Sequence, residues 1–136
     1  LIYKIHIYKD SSFNTPPVFP IYCILLNLRL IKQEGLDNIN EKNKIKSELI
    51  YSEIDRNRCF SGFSEVSDRS QMNATFNLNK GFDGELFNQI CIDKNISGIN
   101  GHRSVGGYRA SIYNALPLES LNILVDAMKE FELSQE

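Results

Sequence analysis

The sequence predicts an α+β fold: a small sheet with two helices on one face, preceded by two long helices. Three observations carry that expectation. Residues 71–78, QMNATFNL, alternate cleanly, with Met72, Ala74, Phe76 and Leu78 on one side and Asn73, Thr75 and Asn77 on the other. Residues 82–91 and 121–131 place Phe82, Leu86, Phe87, Ile90, Cys91 and then Leu121, Leu124, Val125, Met128, Phe131 at helical spacing. Before them, residues 18–30 and 36–54 carry apolar residues at helical intervals with a single Gly35 between.

Taken in order, YKIHIY at 3–8 alternates and is rich in β-formers, which reads as a strand. Thr15 before Pro16 and Pro17 marks a helix start, with Thr15 as N-cap and Asn14 in the turn, because proline is tolerated where N–H groups lack partners. Val18, Tyr22, Leu25, Leu26 and Leu30 follow on more than one face, so burial on several sides is expected. The next helix, 36–54, has a narrower stripe of Leu36, Ile39, Leu49, Ile50 and Ile54. Glu41, Lys42, Lys44, Lys46 and Glu48 decorate its outside, a solvated face rather than a nucleic-acid patch because acids are interleaved. Residues 56–68 read as turns, ISGI at 96–99 as a brief strand, and YRASIYNA at 108–115 as another strand. Pro117 opens the last helix.

Length and composition restrict function. At 136 residues the chain is one domain's worth, and its net charge of −2 offers no general attraction to nucleic acid or anionic membrane. The apolar run at 18–28 is broken by Pro20 and too short to span a bilayer, and the N-terminal residues do not form a signal peptide. Cys23, Cys59 and Cys91 are scattered, which suits reduced, mostly buried thiols better than disulfides or zinc. The triplets Asn73-Ala74-Thr75 and Asn95-Ile96-Ser97 fit the glycosylation pattern, but such triplets often arise by chance. No metal is expected, and neither the phosphate loop, the dinucleotide fingerprint nor the zinc-protease motif is present. A start at Leu1, within an apolar alternating run, gives the expectation of a piece cut from a longer polypeptide.

Two places could hold an anion. In GHRSVGGYRASIYNALP, residues 101–117, His102, Arg103 and Arg109 gather around Gly106 and Gly107. An arginine fork donates two parallel hydrogen bonds to a carboxylate or phosphate, and the glycines suit a tight turn. A plain surface hairpin with solvated charges explains the same residues. In FNTPP, Asn14 and Thr15 precede a helix N-terminus whose prolines have removed backbone donors, so their side chains would do more of the binding. A simple N-cap explains that turn as well.

FNTPPVFPIY together with INGHRSVGGYRASIYNALPLESLNILVDAMKEFE resembles the phosphoserine aminotransferase family, with LIYSEIDRN and DRSQMN in the matching order. The resemblance runs from about residue 3 to the C-terminus and covers roughly the last third of such an enzyme. It implies a class V, fold-type I aminotransferase using pyridoxal 5′-phosphate. Residues 1–16 would end the large cofactor-binding domain, 17–54 would be connecting helices, and 55–136 the small C-terminal domain. It also implies a cytoplasmic homodimer of serine biosynthesis that moves an amino group between glutamate and 3-phosphohydroxypyruvate, giving phosphoserine and 2-oxoglutarate. By the same resemblance Asn14 and Thr15 hold the cofactor phosphate of the neighbouring subunit. Arg109 binds the substrate α-carboxylate, and His102 and Arg103 lie by its distal anion. No lysine here, Lys4 and Lys9 included, stands in the context of the family's Schiff-base lysine, so the isolated chain is expected to be inactive. Tyr108 stands where Met or Phe is common. The alternative reading is a non-catalytic anion-binding or dimerisation module derived from that enzyme.

Overall fold

The computed structural model describes residues 2–135. The chain divides into two compact units, Leu1–Leu36 and Asp37–Glu136. In the first, helix α1 spans Tyr3–Tyr8 and helix α2 spans Val18–Glu34, ending at Gly35 with φ 86°. The strand expected at 3–8 is therefore a helix. A strand must find its hydrogen-bond partners on a neighbour, whereas a helix satisfies them within itself. No strand among the described residues of this unit offers itself as that neighbour. Helix α2 begins three residues after Thr15, with Pro17 at the N-cap and no side-chain cap bond, so Thr15 is not the cap. Its apolar residues are open rather than buried on several sides: Phe19 is 76% and Leu30 63% exposed. An all-round apolar helix needs a covering surface on each side, and this short unit does not supply it.

The second unit carries the sheet. Helix α3, Leu36–Arg56, leads to strand β1, Phe60–Gly62; a 3-10 turn at Val66–Asp68 precedes strand β2, Asn73–Leu78. Helix α4, Gly84–Asp93, then strand β3, Tyr108–Ser111, and helix α5, Leu118–Leu133, complete it. The order in the sheet is β1-β2-β3, antiparallel throughout. The three residues of β1 were too few to betray themselves by alternation within a turn-rich stretch. ISGI is not a strand: positive φ at Asn95 and Gly98 turns the chain there, and only Asn100 forms a bridge, to Tyr108.

One face of the sheet is the core. Ala74, Phe76, Tyr108 and Ala110 are buried on it, under Phe87 of α4 and Phe131 of α5. Phe60 of β1 meets Phe76, Phe87 and Phe131 at centroid distances of 5.6, 4.9 and 5.8 Å. Aromatic pairs at such distances gain about 0.5–1.5 kcal/mol beyond their buried area. The whole predicted stripe of α5, Leu121 to Phe131, is buried, and Cys59 and Cys91 join the core as free thiols. Burial pushes Cys91 up to about 11, far from a reactive thiolate.

Helix α3 departs from its expected stripe, since its buried face begins at Asn43 and includes Lys46, Ser47, Ile50, Tyr51, Glu53 and Ile54. Lys46, expected on the solvated side, is 3% exposed. Its Nζ donates to the carbonyl oxygens of Ile112 at 3.1 Å, Tyr113 at 2.7 Å and Leu116 at 3.3 Å. Beside it, Asn43 Nδ2 donates to Asn114 Oδ1 at 2.7 Å. Burial, and secondarily the charge of Lys42, holds the Lys46 ammonium below its ordinary 10.5. The segment after β3 has no ladder partner for these carbonyls, so a buried ammonium supplies the donors.

The far end of α3 is fixed by Asn57, 2% exposed. Its Nδ2 donates to Glu53 Oε1 and to the Met128 carbonyl in α5, while its Oδ1 accepts from the Cys59 N–H ahead of β1. Arg56 bridges Glu53 and Glu132 at 2.8 and 2.7 Å, which holds the Glu132 carboxyl below its ordinary 4.5. Arg69 grips Asp55 with both nitrogens at 2.6 Å and lies 4.6 Å over the Tyr51 ring. Replacing Lys46 by Met, which keeps the bulk and removes the donors, should cost about 1–3 kcal/mol of stability. Chemical denaturation of the full-length protein measures it. An unchanged midpoint would mean that water serves those carbonyls equally well.

Candidate functional site: the polar face of the sheet and its hairpin

The alternation that buries Phe76 and Tyr108 turns the intervening residues to the other side. Thr75 lies opposite Arg109 across the β2–β3 ladder, and Asn73 opposite Ser111. Ser111 Oγ donates to Asn73 Oδ1 at 3.4 Å, and Ser64 and Thr75 hydroxyls are 3.4 Å apart. On this face a hollow of about 210 Å³ is lined by Phe63, Thr75, Asn77, His102, Val105 and Arg109, with Gly101 and Gly106 at its rim.

The hairpin bearing His102 is built by its glycines. Asn100 pairs with Tyr108, Gly101 N–H donates to Gly107 O at 2.8 Å, and Arg109 N–H donates to Ile99 O at 2.7 Å. The chain reverses between them, where the His102 carbonyl accepts from Val105 N–H at 2.9 Å and Gly106 N–H at 2.8 Å. Gly106 and Gly107 stand at φ 76° and 66°, conformations that L side chains rarely adopt. A Cβ on Gly107 would run into Asn77 Oδ1 and lie 2.9 Å from the Phe76 carbonyl, and one on Gly101 would strike the Gly106 carbonyl. The tight glycine turn read from the sequence is present.

His102 and Arg109, which the sequence singled out, thus line one hollow. Arg103 is exposed on the same turn but is not among the residues lining it. His102 Nδ1 is 2.8 Å from Ser104 Oγ and accepts from the Ser104 N–H at 3.3 Å. Arg109 is exposed, its backbone held on both sides by β2 and by Ile99. Thr75 and Asn77 escaped notice because a polar alternate face reads equally as solvated surface. Their one signal was position, two strand steps from each other on the side opposite Phe76. Tyr108 fills its place with a ring stacked on Phe76 at 5.5 Å and set edge-on to Phe87 at 5.0 Å.

Asn14 and Thr15 lie in the first unit, in the segment leading to α2, and both are exposed. Their amide and hydroxyl are neutral donors of the kind phosphate oxygens accept. Val18 N–H is turned back to the Pro16 carbonyl at 2.8 Å, and Pro16 and Pro17 have no N–H, so the side chains of Asn14 and Thr15 add to the donors left in this turn. Among the described residues no cluster of His, Cys, Asp and Glu could hold a metal ion, and no helix is long and apolar enough to cross a membrane.

The small antiparallel sheet thus carries helices on one face and, on the other, a hollow lined by His102 and Arg109. Residues 4–124 match the family model for class-V aminotransferases, and the chain belongs to that family. It is 55% identical over 133 residues to phosphoserine aminotransferase of Flavobacterium psychrophilum, and 50% identical over 135 residues to that of Bacteroides thetaiotaomicron. These alignments cover 97% of this chain but 37% and 38% of the relatives, so the chain spans well under half their length. Among solved structures, phosphoserine aminotransferase from Bacillus circulans subsp. alkalophilus superposes with a TM-score of 0.86 at 40% identity, over 98% of this chain and 38% of that one. The pyridoxal-phosphate-bound enzyme from Trichomonas vaginalis gives 0.81 at 36% identity, over 93% and 37%.

Replacing Gly107 by Ala combines a disfavoured φ with a collision against Asn77. It should destabilise the hairpin by about 1–3 kcal/mol and displace His102. A crystal structure of the variant would show the loop moved. An unshifted loop with full stability would refute the close fit.

Proposed function

We propose that this chain is the C-terminal, substrate-gripping part of a cytoplasmic phosphoserine aminotransferase that exchanges an amino group between glutamate and 3-phosphohydroxypyruvate. The supporting observation is the convergence of Arg109 and His102 on one hollow, with Arg103 at its turn. Both amino-acid substrates carry a carboxylate at one end and a second anion at the other. A site for them requires cationic or donor groups at two separated points.

In this reading Arg109 takes the α-carboxylate through its fork, while His102 and Arg103 meet the distal phosphate or carboxylate. Thr75, opposite Arg109, and Asn77, beneath the hairpin, complete the polar wall. Asn14 and Thr15 fit the phosphate of pyridoxal 5′-phosphate as neutral donors, in a homodimer where they serve the neighbouring subunit. That cofactor, when bound, supplies the electron sink for amino-group transfer. We assign no residue of this chain to the proton transfers; its share is binding and orientation. Residues 1–16 then close the large cofactor-binding domain, 17–54 connect, and 55–136 form the small C-terminal domain.

In the full-length protein Arg109→Ala should raise the KM for glutamate about ten- to a hundredfold, the loss of a charge-assisted pair worth ~1.5–3 kcal/mol. Unchanged glutamate kinetics would remove Arg109 from this role. Asn14→Ala should weaken cofactor retention, read as pyridoxal phosphate released on dialysis. Equal retention would remove Asn14 from the cofactor site.

A further inference from the structure

Resting on that reading of the hollow, we propose that Ser104 is a positioning residue: it holds the His102 ring with Nδ1 as acceptor and the ring proton on Nε2, making His102 a hydrogen-bond donor to the ligand.

The geometry of the turn leads there. Two groups of Ser104 approach the same ring nitrogen, Oγ at 2.8 Å and the backbone N–H at 3.3 Å from His102 Nδ1. A backbone N–H can only donate, so Nδ1 must offer its lone pair to it. A proton on Nδ1 would set two donors face to face. The hydroxyl can rotate, and once Nδ1 is an acceptor it too turns its hydrogen toward the ring. The single ring proton of a neutral imidazole is then on Nε2, the nitrogen away from Ser104.

The turn keeps Ser104 in that place. The His102 carbonyl is committed to Val105 and Gly106 N–H groups, which fixes the reversal that contains Arg103 and Ser104. Gly101 N–H on Gly107 O closes the base of the loop. His102 lines the hollow that Arg109 also lines, so its free ring edge and the guanidinium serve one ligand. A donor at Nε2 suits a phosphate or carboxylate oxygen. A bare Nε2, the other tautomer, would meet that oxygen lone pair to lone pair.

The test uses the full-length enzyme with histidines labelled by ¹⁵N, the His102 signals being those lost in His102→Asn. Wild type should show Nδ1 as an unprotonated nitrogen and Nε2 as a protonated one. Ser104→Ala keeps the backbone N–H, so it should leave Nδ1 unprotonated but free the ring to turn, raising the KM for phosphoserine about three- to tenfold at unchanged kcat, and Ser104→Thr should restore the KM. A protonated Nδ1 in wild type would overturn the tautomer assignment. An unaltered KM in Ser104→Ala, with a raised KM in His102→Asn, would overturn the positioning role of the Ser104 hydroxyl. An unaltered KM in His102→Asn would overturn the substrate reading of the hollow instead, and the nitrogen shifts would still decide the tautomer.

Discussion

The pairing of β2 with β3 in one register is the constraint on which the rest of this structure depends. Side chains alternate across a strand, so a slip of one residue would exchange the faces. Phe76 and Tyr108, direct cross-strand partners stacked at 5.5 Å, pin that register from the core side. Slipping would push Arg109 into an aromatic core and expose Tyr108. Burying an unpaired guanidinium costs several kcal/mol, so the correct register is strongly preferred. The polar face that bears Arg109 is therefore a by-product of the hydrophobic one: the rings choose the register, and the register aims the arginine.

Polar groups tie the ends that hydrophobic packing leaves loose. Asn57 sits where α3, β1 and α5 meet: it accepts from the Cys59 N–H, which no ladder reaches, and donates to the Met128 carbonyl of α5. Lys46 donates likewise to the segment leaving β3. Both are buried, and both tie backbone groups of separate elements together. The strand carrying Arg109 is thus held at its start by Ile99 and just past its end by Lys46. A binding group needs such support, since a cation on a loose strand would lose its orientation to thermal motion.

Family membership and local geometry support each other without being the same argument. The class-V aminotransferase match covers residues 4–124, both units included. The hollow shows what one unit contributes: His102 and Arg109, with Thr75 and Asn77 on the strand beside them.

By itself the sequence determined the α+β class, the stripes of α4 and α5, the face of β2, the glycine turn and the gathering of His102 with Arg109. Each of these rests on a local period or on a residue whose conformational range is intrinsic. Tertiary structure alone decided the rest. It made Lys46 a buried donor, because the carbonyls it serves lie 66 to 70 residues away along the chain. It gave Phe60–Gly62 a strand, because three residues pair only when β2 is present beside them. It made Tyr3–Tyr8 a helix despite β-forming residues, and left α2 uncovered, because strand pairing and burial both require a neighbour that no local pattern encodes. And it set Thr75 and Asn77 into the wall of a hollow, because a polar strand face becomes concave only when a hairpin folds across it.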